Sequence, residues 1–159
     1  MDNISYGFDR QHQIGTQYEQ KLDEFFKTLL FVYPATAEEQ RKGIDRWFVD
    51  EDEDCLSVEY KTDLRASRTG NAFVETVLVD SRNVLGWVYT SRADVLCYFV
   101  PGNQTVWLIC MVHMREHLPD WLSRFSARKI PNKDYCTHGL LVPLKELSAI
   151  AFQEFTNVT

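Results

Sequence analysis

The chain reads as a single α/β domain in which one mixed central β-sheet is flanked by helices. Three observations predict this class. An amphipathic helix pattern lies near the N-terminus, aromatic and β-branched runs of strand length fill the middle, and helix signals return after residue 113. At 159 residues the length suits one domain, and 45% apolar with 25% charged residues is ordinary globular composition.

From about residue 16 to 33 the apolar positions are Tyr18, Leu22, Phe25, Phe26, Leu29, Leu30 and Tyr33. At helical spacing they fill an arc of about 140°, and Glu19 is the only acid inside it. Residues 44–49 and 55–61 read as two strands joined by the acidic run 50–54 as a hairpin turn. A third strand at 72–79 follows the Thr69-Gly70-Asn71 turn, and a turn or short helix spans 86–93. Strands at 94–100 and 105–112 flank the Pro101-Gly102-Asn103 turn. Residues 114–125 read as a helix that Pro119 breaks or starts. A short strand at 140–142 precedes a helix over 143–152, with Pro143 suited to its first turn.

Five of the six net negative charges sit in the run 50–54, so the rest of the chain is close to neutral. Arginines and lysines recur elsewhere, which leaves room for a local basic face. The longest apolar run, 106–112, is far short of the roughly 18 residues a membrane span needs. The opening Met1-Asp2-Asn3-Ile4-Ser5 lacks a signal-peptide pattern, and the four cysteines are widely spaced without a C-x-x-C pair. Together these predict a cytoplasmic protein with reduced thiols. Cys110, His113 and His117 have a zinc-like spacing, but Cys110 falls in a strand and a fourth ligand is missing.

The residues that suggest chemistry lie on the first two strands. A hairpin centred on Asp52 sets Asp45 directly opposite Glu59. Opposed residues have Cβ atoms about 4.5–5.5 Å apart, where like charges repel, so a divalent cation is the usual reason for such a pair. Period-2 alternation puts Lys61 on the face of Glu59. Two acids and an amine on one sheet surface suit phosphodiester hydrolysis. Asp45, Glu59 and the backbone carbonyl of Tyr60 are the oxygen ligands Mg²⁺ prefers, and Lys61 orients the water or stabilises charge at phosphorus. With 23 acids and seven lysines, chance alone supplies about one acid-x-Lys triplet, so a solvated strand face is the competing account of Glu59 and Lys61.

Gly43-Ile44-Asp45, Val58-Glu59-Tyr60-Lys61 and the helical Glu19 together resemble the PD-(D/E)XK nuclease superfamily, the restriction-endonuclease-like fold. Ile44 stands where the family name has Pro. The stretch from Lys61-Thr62-Asp63 through Thr69–Glu75 to Gly86 and Thr90-Ser91-Arg92-Ala93-Asp94 is similar to a phage-type branch. The resemblance covers roughly residues 15 to 100. It implies a Mg²⁺-dependent DNA endonuclease, with Mn²⁺ as substitute, acting as a homodimer or larger assembly. Asp45, Glu59, Lys61 and Glu19 are its catalytic set. Glu75, mid-strand in an apolar run, either completes the acidic site or pairs with Arg65, Arg68 or Arg92. Arg65, Arg68 and Arg92 are the candidate nucleic-acid contacts, with a solvated loop as the alternative for Arg65 and Arg68. The competing class is a catalytically inactive nuclease-fold module that binds DNA or a protein partner. Its signature would be a splayed trio with Lys61 directed away from the acids.

Overall fold

A computed structural model describes the backbone of residues 3–159 and the side chains from residue 13 onward. The first half runs α1 (Asn3–Phe26), β1 (Phe31–Pro34), α2 (Ala37–Arg41), β2 (Arg46–Val49), β3 (Cys55–Thr62), α3 (Ala66–Thr69), β4 (Asn71–Val79) and β5 (Val84–Leu85). Then come α4 (Trp87–Thr90), β6 (Val95–Val100), β7 (Thr105–Cys110), α5 (Met111–Arg124), β8 (Ala127–Pro131), β9 (Cys136–Pro143), α6 (Leu144–Ile150) and β10 (Gln153–Phe155).

The central sheet has the strand order β1-β2-β3-β6-β7-β10. Only β3 and β6 are parallel within it, so the sheet is mixed, as the sequence predicts. One face packs on α1, where Leu22 and Phe26 meet Phe48, Val58, Tyr60, Cys97 and Phe99. On the other face Leu96, Tyr98 and Ile109 pack with Val74 and Leu140 of a second sheet and with Met114 and Trp121 of α5. Burial on both faces explains why every residue of β6 is buried.

The second sheet, ordered β5-β4-β9-β8, departs from the single-sheet expectation. The strand expected at 72–79 forms, but it pairs with β9 rather than joining the central sheet. The N-terminal helix also ends earlier than its periodicity suggests. It stops at Phe26, and Leu29 and Tyr33 are half exposed. Residues 31–34 instead gain ladder partners, from Phe31 opposite Val49 to Pro34 opposite Arg46. Strand 105–112 ends at Cys110 because the chain enters α5 at Met111, whose amide makes a last in-register bond to the Asp94 carbonyl at 2.9 Å. Pro119 neither breaks nor starts that helix but lies within it. The strand expected at 140–142 is part of the longer β9.

The acidic run forms the expected turn. Asp50 Oδ1 accepts the amides of Asp52 and Asp54, each at 2.9 Å, which ties the loop through its own side chain. All four cysteines are free, and none of the helices described is long and apolar enough to cross a membrane.

Candidate active site

The register of β2 on β3 is the one the sequence predicts, with Arg46 opposite Val58 and Val49 opposite Cys55. The ladder stops at Arg46, one step short of the Asp45–Glu59 pair that the hairpin predicts. Beyond it the pairing takes an altered form. Asp45 donates its amide to the Val58 carbonyl at 2.8 Å, and its Oδ2 accepts the Tyr60 amide at 2.7 Å. The carboxylate thereby replaces the Ile44 carbonyl that a continued antiparallel ladder would offer Tyr60. The Ile44 amide has turned away to the Glu39 carbonyl at 3.1 Å. Since N–H and C=O of one strand residue point to the same edge, the Tyr60 carbonyl faces the Asp45 side without its ladder donor.

Side chains alternate along β3. Val58 and Tyr60 enter the core against α1, so Glu59 and Lys61 stand on the opposite face. Glu59 is only 4% exposed. Its Oε1 takes Lys61 Nζ at 2.8 Å, while Oε2 is buried with no hydrogen-bond partner among the described residues. An orphaned buried carboxylate oxygen is costly and calls for a ligand. Lys61 remains one-third exposed, and its Nζ lies 5.8 Å from the centre of the Trp87 ring.

Glu75 on β4 faces the same group. Its Oε1 accepts the Trp87 amide at 3.2 Å, and among the described residues it forms no ion pair with Arg65, Arg68 or Arg92. Gly86 makes the approach possible, because a Cβ there would lie 2.3 Å from the Glu75 carbonyl oxygen. Burial raises the Glu75 carboxyl above its ordinary 4.5; the Trp87 amide and Lys61 pull it down, and Glu59 pushes it up. A raised folded-state value means the folded protein holds this proton more tightly than the unfolded chain, so stability is lost as pH rises through and above about 4.5. Glu75→Gln, which keeps an acceptor for Trp87, is therefore expected to be more stable than wild type at pH 7 and equal to it near pH 4. Urea denaturation at the two pH values checks this.

Glu19 sits on the α1 side. Its Oε2 accepts Arg46 Nη2 at 3.2 Å, and burial followed by the charge of Asp45 raises its carboxyl while Arg46 lowers it. Arg46 also binds Asp23 through Nε and Nη2 at 2.9–3.1 Å and the Asp45 carbonyl through Nη1 at 2.9 Å. The Tyr60 hydroxyl donates to Asp23 at 3.0 Å. Glu19 thus belongs to a network that holds the strand ends, one step removed from Glu59 and Lys61.

Of the three candidate arginines, Arg65 lines a cavity beside Lys61. Arg68 is exposed on α3 outside that lining, and exposed Arg92 bonds its amide to the Lys42 carbonyl beside the approach to Asp45. Asn71 serves its turn, with Nδ2 on the Thr69 carbonyl at 3.1 Å. Asp63, Trp87 and Arg128 also line the cavity and were not singled out by the residue pattern. Arg128 lies on exposed β8, a strand with no readable alternation.

Among the described residues no three His, Cys, Asp or Glu side chains are grouped to hold a metal, and this includes the Cys110-His113-His117 spacing. His117 Nδ1 bonds the His113 carbonyl at 2.8 Å instead. Mg²⁺, unlike zinc, is usually held by one or two carboxylates plus waters and substrate phosphate. Glu59, with its orphaned oxygen, offers one such carboxylate, while the Asp45 carboxylate is engaged by the Tyr60 amide through Oδ2. No protein-family model, curated protein or solved structure matches the chain.

Proposed function

We propose that the protein is a Mg²⁺-dependent DNA endonuclease of the PD-(D/E)XK type. The observation that carries this reading is the buried, partnerless Oε2 of Glu59 beside the Lys61–Glu59 contact and the Asp45–Tyr60 link. Asp45, Glu59 and the Tyr60 carbonyl would hold the cation. When bound there, Mg²⁺, with Mn²⁺ as substitute, supplies Lewis-acid polarisation of the scissile phosphate and lowers the pKa of water.

The remaining work falls to the chain itself. Lys61 places a positive charge where negative charge grows on the phosphoryl oxygens, and the same ammonium can orient the incoming water. Glu59 anchors Lys61, and the low exposure around it strengthens both charges. The Tyr60 amide fixes the Asp45 carboxylate, while Arg46, Asp23 and Glu19 brace the strand from behind. Glu75, when ionised, adds negative charge near Lys61.

An inactive binding module would have Lys61 splayed away from the acids. The 2.8 Å contact with Glu59 supports the enzyme instead. One such centre cuts one strand, so double-strand cleavage calls for a homodimer or larger assembly. Free thiols accord with a cytoplasmic setting.

With supercoiled plasmid and Mg²⁺ or Mn²⁺ the protein is expected to produce nicked or linear DNA, and EDTA to stop the reaction. Supercoiled, linear and branched DNA all left intact with both metals would overturn the reading.

A further inference from the structure

Next to Lys61 the two sheets leave a cavity of about 370 Å³. This lies in the range of roughly 300–1,000 Å³ that holds single small ligands, and far below what a duplex occupies. Its charged rim carries Lys61, Arg65 and Arg128, with Asp63 as the acid in the lining. Asp63 is fully engaged by the protein. Oδ1 accepts the Arg65 and Ala66 amides, each at 2.9 Å, and Oδ2 accepts the Phe73 amide at 3.2 Å and the Tyr98 hydroxyl at 2.6 Å. Arg65 and Arg128 are exposed and form no ion pair among the described residues. The rim is therefore net cationic with two uncommitted guanidinium groups.

The wall between them is aromatic and aliphatic. Phe73, Trp87 and Leu141 contribute it, from β4, α4 and β9. Gly139, opposite Arg128 in the β8–β9 ladder, makes room for the Phe73 ring: a Cβ there would lie 2.5 Å from Phe73 Cζ. The position thus keeps the Phe73 ring at the cavity on β4, and Arg128 stands opposite the same glycine on β8.

We infer that this cavity receives an unpaired nucleotide of single-stranded DNA, its base on the Phe73–Trp87 wall and its flanking phosphates on Arg65 and Arg128. Aromatic surface bracketed by cations is the chemistry of single-strand binding, because every base offers a π-face once it leaves the duplex stack. A paired strand keeps its base faces buried and cannot use such a wall. The inference rests on the nuclease reading, since it places the strand with its scissile phosphate at Lys61. It also gives that reading a substrate class: strands that are single, flapped or frayed beside the cut.

Fluorescence anisotropy in EDTA tests the cavity without cleavage. A labelled oligothymidylate is compared with a blunt duplex and an oligouridylate of the same length. The single DNA strand is expected to bind about tenfold more tightly than the duplex. Trp87→Leu should weaken single-strand binding roughly tenfold, consistent with loss of base stacking, and leave the duplex nearly unchanged. Exposed Arg128→Ala and Arg65→Ala, which carry no folding risk from burial, should each lower the slope of log K against log salt by about 0.7. Equal binding of strand and duplex overturns the inference, as do unchanged affinity and slope in all three variants. Tighter binding of the RNA overturns DNA as the ligand. A parallel Mg²⁺ cleavage assay separates the two claims: plasmid cutting with insensitive cavity variants removes the cavity alone, and selective strand binding without any cutting removes the nuclease.

Discussion

Lys61→Ala is expected to slow DNA cleavage by about 10²–10³-fold, the loss seen when one preorganised charge-stabilising group is removed from a transition state. The effect should lie in the chemical step, because the charge that Lys61 is proposed to stabilise grows only in the transition state. A stability cost accompanies it. The substitution strips the last partner from a carboxylate that is 4% exposed and already carries one orphaned oxygen. Leaving such a group unsatisfied costs about 1–3 kcal/mol, which lowers Tm by roughly 2–10 °C in a domain of this size. Cleavage rates taken well below the variant's Tm separate the two effects. A surface ion pair without catalytic meaning would show a small change in stability and none in rate.

Glu59→Gln carries the second large effect, and it splits activity from stability. Cleavage should fall to background, because a neutral amide is a poor replacement for a carboxylate toward Mg²⁺. The metal-free fold should be at least as stable as wild type, since the substitution removes a buried charge that is only half partnered. Lys61, one-third exposed, keeps its contact with water when its counter-charge goes. Mg²⁺ at 100 times its Kd adds about 2.7 kcal/mol to the wild type, a rise of roughly 5–10 °C in Tm. That rise should vanish in Glu59→Gln. A metal-dependent shift of equal size in both proteins would put the cation elsewhere, such as the acidic turn that closes the β2–β3 hairpin.

Much of this site was legible because a hairpin is a local object. The turn 50–54 sets the register from Arg46 opposite Val58 to Val49 opposite Cys55, and period-2 alternation puts Lys61 on the face of Glu59. Asp45 lies one step beyond the last ladder pair, and its arrangement was not legible. Its carboxylate takes over a ladder position because the chain at Ile44 turns toward Glu39, and that turn depends on α2. Glu19 was read from the helical arc, yet its partner Arg46 and the role of Asp23 come from how α1 crosses the sheet.

The elements that escaped reading have a common cause. β1 continues the apolar spacing of α1, so period alone runs the helix through residues that gain more as a strand paired with β2. Exposed β8 and three-residue β10 show little alternation because they sit at sheet edges. The second sheet depends on β4 pairing with β9 across more than sixty residues, information that no local pattern holds. The cavity arises between the two sheets, which is why Arg128 and Trp87 became visible only in the folded chain.

The most direct test is single-turnover cleavage of one labelled DNA by wild type, Asp45→Asn and Lys61→Ala, with Mg²⁺ and with EDTA. Asp45→Asn keeps an acceptor for the Tyr60 amide, so its fold should survive while its charge is lost. Metal-dependent cutting by wild type, with both variants reduced at least a hundredfold at unchanged secondary structure, is the predicted result. Cutting at the wild-type rate by either folded variant, or none by wild type under any metal, would contradict it.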